Sequence, residues 1–210
     1  MTVLDFLEKL ARFAHERFGD EMVRSRENFF RDLGIIHETD ELYEETMKAW
    51  LDWFLFERPV DEKGLTPVRL FIDQAAEALN PEEGAVFAGF AFSGRRSLFH
   101  IRKVLPDSIE CKDLFTGKKQ KIREDVPEGF IKGEIFEARI LPFEDDWRFG
   151  DLLRFHPPRA NRLILKAAKP IKNSGDAAAK ALLAKLASCK VKHFRHPRVD
   201  AVQFYSELLK

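Results

Sequence analysis

The sequence is poor in cysteine, since its 210 residues include only Cys111 and Cys189. Two cysteines this far apart argue against the disulfide framework of a secreted protein, and they suit a reducing cytosol where both thiols stay reduced. Acidic side chains at positions 5, 8 and 16 interrupt the first apolar residues. This pattern suits neither a secretory signal nor an acid-poor transit peptide. We therefore expect a cytoplasmic protein.

Long apolar runs and the common catalytic motifs are also missing. Charged residues interrupt every apolar stretch before it reaches the roughly 20 residues of a membrane-spanning helix, so no membrane partner is expected. The sequence contains no G-x-x-x-x-G-K-[ST], G-x-G-x-x-G, H-E-x-x-H, G-x-S-x-G or C-x-x-C motif. It therefore lacks the usual signatures of nucleotide-binding loops, zinc proteases and serine hydrolases, and we predict no cofactor.

The chain does contain enough apolar material for a core, with 45% apolar residues and 20 phenylalanines beside 33% charged residues. A chain of this length buries roughly 70% of its extended surface on folding, so it needs neither disulfides nor metals for stability. This is the composition of a globular protein rather than of a disordered or fibrous one.

The net charge is zero, but the charges are unevenly distributed. Residues 1–63 have 9 basic and 16 acidic side chains, a net charge of −7, whereas residues 159–210 have 12 basic and 3 acidic ones, a net charge of +9. Such segregation indicates either a basic surface for an anionic partner or attraction between two parts of the same chain. The sequence leaves both open.

Residues 1–94 have the pattern of a helical region. Thr2 and Asp5 match a capping box at the start of a helix, and Asn80 begins the same motif before another. Thr39 is predicted to be the N-cap of a further helix, because carboxylates follow it where they favour the positive end of the helix dipole.

Residues 95–156 change to the alternating period of β-strands, with a predicted hairpin around Thr116 and Gly117. Residues 157–210 return to a helical pattern that is rich in lysine and arginine. We therefore predict an α+β fold with an N-terminal helical layer, a small antiparallel β-sheet or partial barrel, and basic C-terminal helices. The three regions could together form one domain.

The basic C-terminal region carries the strongest binding signal. If a helix begins at Pro158, four of its cations fall within an arc of about 80°, beside an apolar face. Like charges at these spacings cost a few tenths of a kcal/mol per pair, which phosphates could offset. The candidate residues for binding nucleic acid or another partner are Arg159, Arg162, Lys166, Lys169, Lys190, Lys192, Arg195 and Arg198. The alternative is a solvated face that the acidic residues 38–45 neutralise.

A C-x3-H-x2-H pattern offers three residue types that bind metals, at Cys189, His193 and His196. Lysines and arginines surround it and no carboxylate accompanies it, so a dication would be electrostatically unfavourable there. Pro197 also indicates the end of a helix. We predict no metal site.

Pro106, Asp107, Glu110 and Lys112 form a P-D-x2-E-x-K sequence similar to the signature of metal-dependent nucleases. In that chemistry the first carboxylate and the E-x-K pair lie on neighbouring strands and hold one metal ion together. Only two residues separate them here, so we interpret Asp107 as a turn residue.

Several stretches between Trp53 and Pro142 resemble a group of uncharacterised bacterial proteins that are often fused to a SEC-C zinc-binding motif. They are residues 53–59, 64–67, 97–99, 113–117 and 133–142. The cysteine cluster of the SEC-C motif is absent from this chain. The resemblance implies an α+β body of unknown role in a bacterial cytosol, and it assigns no role to any residue.

The functional prediction is a non-enzymatic interaction module that contacts nucleic acid or an acidic protein through its basic C-terminal helices. It depends on the segregated charge and on the lack of convergent catalytic groups. The alternative is a hydrolase-type enzyme whose site is assembled from dispersed residues such as His100, Asp113 and Glu137.

Overall fold

The structure is a computed structural model, and it describes residues 1–34, 36–75, 79–125, 127–172 and 174–209. Four helices come first, followed by five strands and three further helices. The first helices are α1 Val3–Leu33, α2 Tyr43–Phe56, α3 Pro67–Ala75 and α4 Pro81–Phe92. The strands are β1 Arg95–Leu105, β2 Ser108–Asp113, β3 Lys119–Arg123, β4 Ile135–Phe143 and β5 Asp146–Phe155. The last helices are α5 Asn161–Ala168, α6 Asp176–Arg195 and α7 Ala201–Tyr205, with short 3-10 turns at Pro158–Ala160 and Ser206–Leu209.

The α+β fold class is confirmed, and so are two of the predicted helix starts. The Thr2 hydroxyl accepts a hydrogen bond from the backbone N–H of Asp5, whose carboxylate accepts one from the backbone N–H of Thr2. Asn80 and Glu83 form the same reciprocal pair at the start of α4. These boxes depend only on neighbouring residues, which is why the sequence reveals them.

The N-cap predicted at Thr39 is wrong. The second helix begins at Tyr43, and Leu42 precedes it without a side-chain cap. The Asp40 carboxylate accepts a hydrogen bond from the backbone N–H of His37, and the backbone N–H of Tyr43 donates to the carbonyl of Asp40. Asp40 therefore closes a turn before the helix instead of lying in its first turn.

Residues 1–95 and 139–152 form one compact unit. Its core is strongly aromatic: Phe6 makes edge-on contacts with Phe87 and Phe143, at centroid distances of 5.3 and 5.7 Å. Trp50 donates from its indole nitrogen to the buried hydroxyl of Ser25, so its polar end is satisfied inside the core.

Residues 96–138 and 153–210 form the second unit, which has a core of its own. Leu98 and Ile135 from the strands pack there with Ile164 from α5 and Leu186 from α6. The prediction of separate regions at 1–94, 95–156 and 157–210 stays a prediction.

The five strands form a closed barrel in the order β1-β2-β3-β5-β4. Strands β1 and β2 pair antiparallel, with a bulge between Ile101 and Lys103, and β2 and β3 form the predicted hairpin. Within the described residues, every helix is too short or too polar to cross a membrane.

Candidate functional site

The predicted helix after Pro158 is confirmed: a 3-10 turn at Pro158–Ala160 leads directly into α5. Ile164 and Ala167 are buried in the core of the second unit. Arg162 and Lys166 are exposed, as is Lys169 immediately after the helix. These three cations form the basic stripe of α5. The stripe faces solvent because the helical period places it beside the apolar side of the helix, which is buried.

Two of the eight predicted binding residues form ion pairs with carboxylates of the same C-terminal region. Arg159 lies 2.7 Å from the Asp200 carboxylate, and Lys192 lies 2.7 Å from that of Glu207. The hydrogen bond that Lys192 donates to the Glu207 carboxylate raises the pKa of Lys192. All four side chains are substantially exposed, and exposed pairs of this kind contribute only about 0–1 kcal/mol.

Four of the predicted residues have no carboxylate partner among the described parts of the chain. They are Arg162, Lys166, Lys169 and Arg198, and all four are exposed. Lys190 and Arg195 make other interactions. The surface thus retains a net excess of positive charge that its own carboxylates leave uncompensated.

The structure brings Arg159 and Arg198 together, although 39 positions separate them. They line an open groove of about 490 Å³ with His193 and Asp200. Nδ1 of His193 is buried and has no hydrogen-bond partner among the described residues. Lys166 and Lys169 do not line this groove.

The residues of the C-x3-H-x2-H pattern are used in packing. The buried Cys189 thiol donates to the backbone carbonyl of Phe204 over 3.4 Å, and burial raises its pKa. The His196 ring stacks on that of Phe204 at a centroid distance of 5.9 Å. Helix α6 ends at Arg195, which confirms the boundary predicted from Pro197. No group of metal-binding side chains occurs within the described residues.

A second basic surface lies on the barrel, and the sequence alone did not predict it. An open groove of about 780 Å³ crosses the outer side of β1, β2 and β3. Its charged lining residues are Arg102, Glu110, Lys112, Lys119 and Lys121. The alternation of Lys119, Lys121 and Arg123 along β3 signals one solvated strand face. The positions facing them depend on strand register, which the sequence does not state.

The two basic surfaces meet at Lys172 and Gly117. Gly117 is in the turn between β2 and β3, at φ +73°, and it lines the barrel groove. A methyl group added to it would lie 2.3 Å from Cε of Lys172. The Lys172 side chain, three positions after Lys169, therefore lies directly on the turn, and its ammonium joins the charge of the α5 region to that of the barrel.

Of the three residues named for the enzyme alternative, Asp113 and Glu137 are fully buried. One oxygen of Asp113 accepts hydrogen bonds from the Ser97 hydroxyl and from the backbone N–H groups of Phe115 and Thr116. Asp113 therefore fixes the turn that follows β2.

Glu137 lies between two guanidinium groups, those of Arg96 and Arg154. Burial alone would raise the pKa of Glu137, but the two arginines more than offset this and hold it below its usual value. His100 is half-buried opposite Lys112 in the strand pairing. Burial and the nearby Arg102 lower its pKa. The hydrolase interpretation stays a prediction, and the contacts of Asp113 and Glu137 explain those two residues as structural.

Comparison with known proteins finds no curated protein and no solved structure that matches the chain. One family model does match, over residues 9–183. That span includes the barrel and α5, whereas the predicted binding residues from Lys190 to Arg198 lie beyond it. Because the match covers most of the sequence, the chain belongs to the family of unknown function DUF7986.

Proposed function

We propose that this protein is a non-enzymatic module that binds nucleic acid through the phosphate backbone, using its basic C-terminal helices. The observation that carries the proposal is the exposure of Arg162, Lys166 and Lys169 without a carboxylate partner among the described residues. Cations three or four positions apart on a helix repel one another. A phosphate backbone that binds along them relieves this repulsion and releases its own counterions, which favours binding.

The groove between Arg159 and Arg198 supports the same proposal. The ion pair of Arg159 with Asp200 is exposed, so a phosphate can replace the carboxylate at little cost. Arg198 adds a second guanidinium group to the same groove. An arginine can bind a phosphate through two parallel hydrogen bonds.

We infer contact with phosphates rather than with base edges. The stripe on α5 consists of arginine and lysine, and it lacks the asparagine or glutamine that pairs with adenine in sequence-specific helices. Helix α5 has only eight residues, and its apolar side is buried in the core of the unit. It is therefore fixed in place as part of a surface rather than free to enter a groove. Binding is expected to be insensitive to sequence.

Titration with fluorescein-labelled oligonucleotides at several salt concentrations tests the proposal. Three proteins are compared: the wild type, the α5 variant Arg162→Gln, Lys166→Gln, Lys169→Gln, and the control variant Arg12→Gln, Arg17→Gln, Lys63→Gln. The control removes the same charge from exposed positions of the other unit.

The plot of log affinity against log salt should have a negative slope, about 0.7 per phosphate contacted for a single strand and about 0.9 for a duplex. The α5 variant should reduce this slope by about two to three, and the control should leave it unchanged. Absence of binding at 50 mM salt, or equal slopes for both variants, would exclude the proposal. Equal competition by poly-glutamate would favour an acidic protein partner instead.

We also infer the cellular setting from the sequence. The two buried thiols suit a reducing compartment, and the similarity to bacterial proteins that carry SEC-C motifs suggests a bacterial cytoplasm. Fractionation of cells that express a tagged chain tests the location directly. Recovery in a membrane or secreted fraction would contradict it.

A further inference from the structure

We propose that the binding surface continues from α5 onto the outer side of β1, β2 and β3, where the barrel groove holds a single-stranded segment of the nucleic acid. This inference rests on the proposed function, because it assigns the same ligand to a second set of residues. The barrel groove is a site that the sequence did not predict, and the class of ligand assigned to it is single-stranded nucleic acid.

The groove and the strand face around it have an excess of positive charge. Five cations lie on this face, and Glu110 is the carboxylate among them. The cations are Arg102, Lys103, Lys112, Lys119 and Lys121. None of the five forms an ion pair within the described residues, although Glu110 is opposite both Lys103 and Lys121 in the strand register.

Lys112 and Lys119 give the strongest indication of an anionic ligand. They are direct partners in the pairing of β2 with β3, so two like charges face each other across neighbouring strands. Such a pair destabilises a sheet. His100, on the other side of Lys112, supplies no negative charge. An oligoanion in the groove would remove this repulsion, which the fold itself does not compensate.

Lys172 connects the two basic surfaces. Lys172 lies on the Gly117 turn at one end of the groove, and Lys169 and Lys166 precede it in the chain. A nucleic-acid strand that binds along α5 therefore meets the Lys172 ammonium next to the Gly117 turn. Lys172 thus places a cation between the two sets, as a single extended ligand that covers both would require.

The volume of the groove and the spacing of its cations indicate the form of the ligand. A groove of about 780 Å³ has the volume of sites that enclose small ligands, which suits a short segment of one extended chain. Lys119 and Lys121 are two residues apart on β3, which places them roughly 6.7 Å apart along the strand. The described lining residues include no aromatic side chain, so the bases are not expected to stack and binding should be largely independent of base composition.

The experiment uses the full chain and labelled oligo-dT and oligo-dA, with a duplex for comparison. The barrel variant is Lys112→Gln, Lys119→Gln, Lys121→Gln, and it is compared with the α5 variant and the Arg12, Arg17, Lys63 control described above. The three barrel positions are on the outer strand face, so the core is untouched. Thermal unfolding of each variant verifies that the fold is retained.

We expect the barrel variant to reduce the salt slope for oligo-dT by about two, which is 0.7 for each of three contacts. The reduction should be similar for oligo-dA and should add to that of the α5 variant. The stoichiometry should be one strand per protein. Two strands per protein would overturn the continuity of the surface.

The outcomes separate the inference from the proposed function. If the α5 variant alone weakens binding, the barrel site is excluded and the proposed function stands. If the barrel variant alone weakens binding, the role of α5 is excluded, and the proposed function and the continuous surface fail with it, which leaves only a separate site in the barrel groove. If the barrel variant weakens duplex binding as much as single-strand binding, the assignment to a single strand is wrong. If the wild type binds no oligonucleotide, both fail.

Discussion

The hydroxyl of Tyr205 lies 3.0 Å from Nδ1 of His156, and both side chains are buried. Tyr205 ends α7, whereas His156 directly follows β5, so this hydrogen bond ties the C-terminal helices to the end of a barrel strand. Nε2 of His156 has no partner within the described residues. The bond to Tyr205 is therefore the principal polar contact that this imidazole makes.

Replacing Tyr205 with phenylalanine should destabilise the protein by about 1–3 kcal/mol. The substitution removes one hydroxyl and leaves a buried imidazole nitrogen unsatisfied, which costs roughly this much. Urea unfolding measures the change. Tyr43, the only other tyrosine, is a matched control, because it is partly exposed and makes a ring contact with Phe30. Tyr43→Phe should change stability by much less, and equal losses would contradict the role of the Tyr205 bond.

The ionisation of His156 should make stability fall in mild acid. Burial lowers its pKa to about 3 in the folded protein, against an ordinary value of 6.5, and the charge of Glu137 only partly opposes this. The unfolded chain therefore binds a proton below pH 6.5 that the folded protein rejects. The contribution of the neutral His156 to the free energy of unfolding is complete above pH 6.5, and it is lost as the pH falls toward 3.

The expected slope is about 1.4 kcal/mol of lost stability for each pH unit below 6.5. Urea unfolding at pH 7, 6 and 5 measures it. His156→Gln keeps a hydrogen-bonding group for Tyr205 but has no group that gains a proton. The slope of its stability against pH should therefore be smaller than that of the wild type by this amount. A parallel decline in the wild type and His156→Gln would show that another group causes the loss.

The ion cluster at Glu137 predicts a large effect of a small change. Glu137→Gln keeps the shape of the side chain but leaves the nearly buried Arg96 and Arg154 without their shared carboxylate. Breaking a buried pair in this way costs about 3–5 kcal/mol. Chemical denaturation measures the loss, with Glu134→Gln as a control at a partly exposed position three residues earlier. A loss below about 1 kcal/mol would mean that solvent already compensates the two arginines.

The parts of the fold that could be predicted depend on neighbouring residues. Both capping boxes and the basic stripe of α5 follow from spacings of three or four positions. The N-cap predicted at Thr39 was wrong because the Asp40 carboxylate accepts a hydrogen bond from the backbone N–H of His37. Competition between a turn and a helix start is not visible in the order of the residues.

The parts of the site that could not be predicted depend on register. Lys112 faces Lys119 only because β2 and β3 pair in that alignment, and a shift by one residue would turn one of them inward. Arg159 and Arg198 share a groove only because the end of α6 folds back toward the start of α5. The sequence indicates which residues are cations, and tertiary pairing decides which of them lie together.

Gly117 offers a last test, of the junction between α5 and the barrel. Gly117→Ala puts a methyl group at a positive φ, which costs about 1–2 kcal/mol, and it displaces the Lys172 side chain from the turn. Gly129 also has a positive φ, +99°, but a methyl group there meets no atom within 4 Å. Both alanine variants should lose similar stability, as thermal unfolding would show. Oligo-dT binding should weaken only in Gly117→Ala, since only that change moves a cation, and equal binding by the two variants would remove Lys172 from the surface.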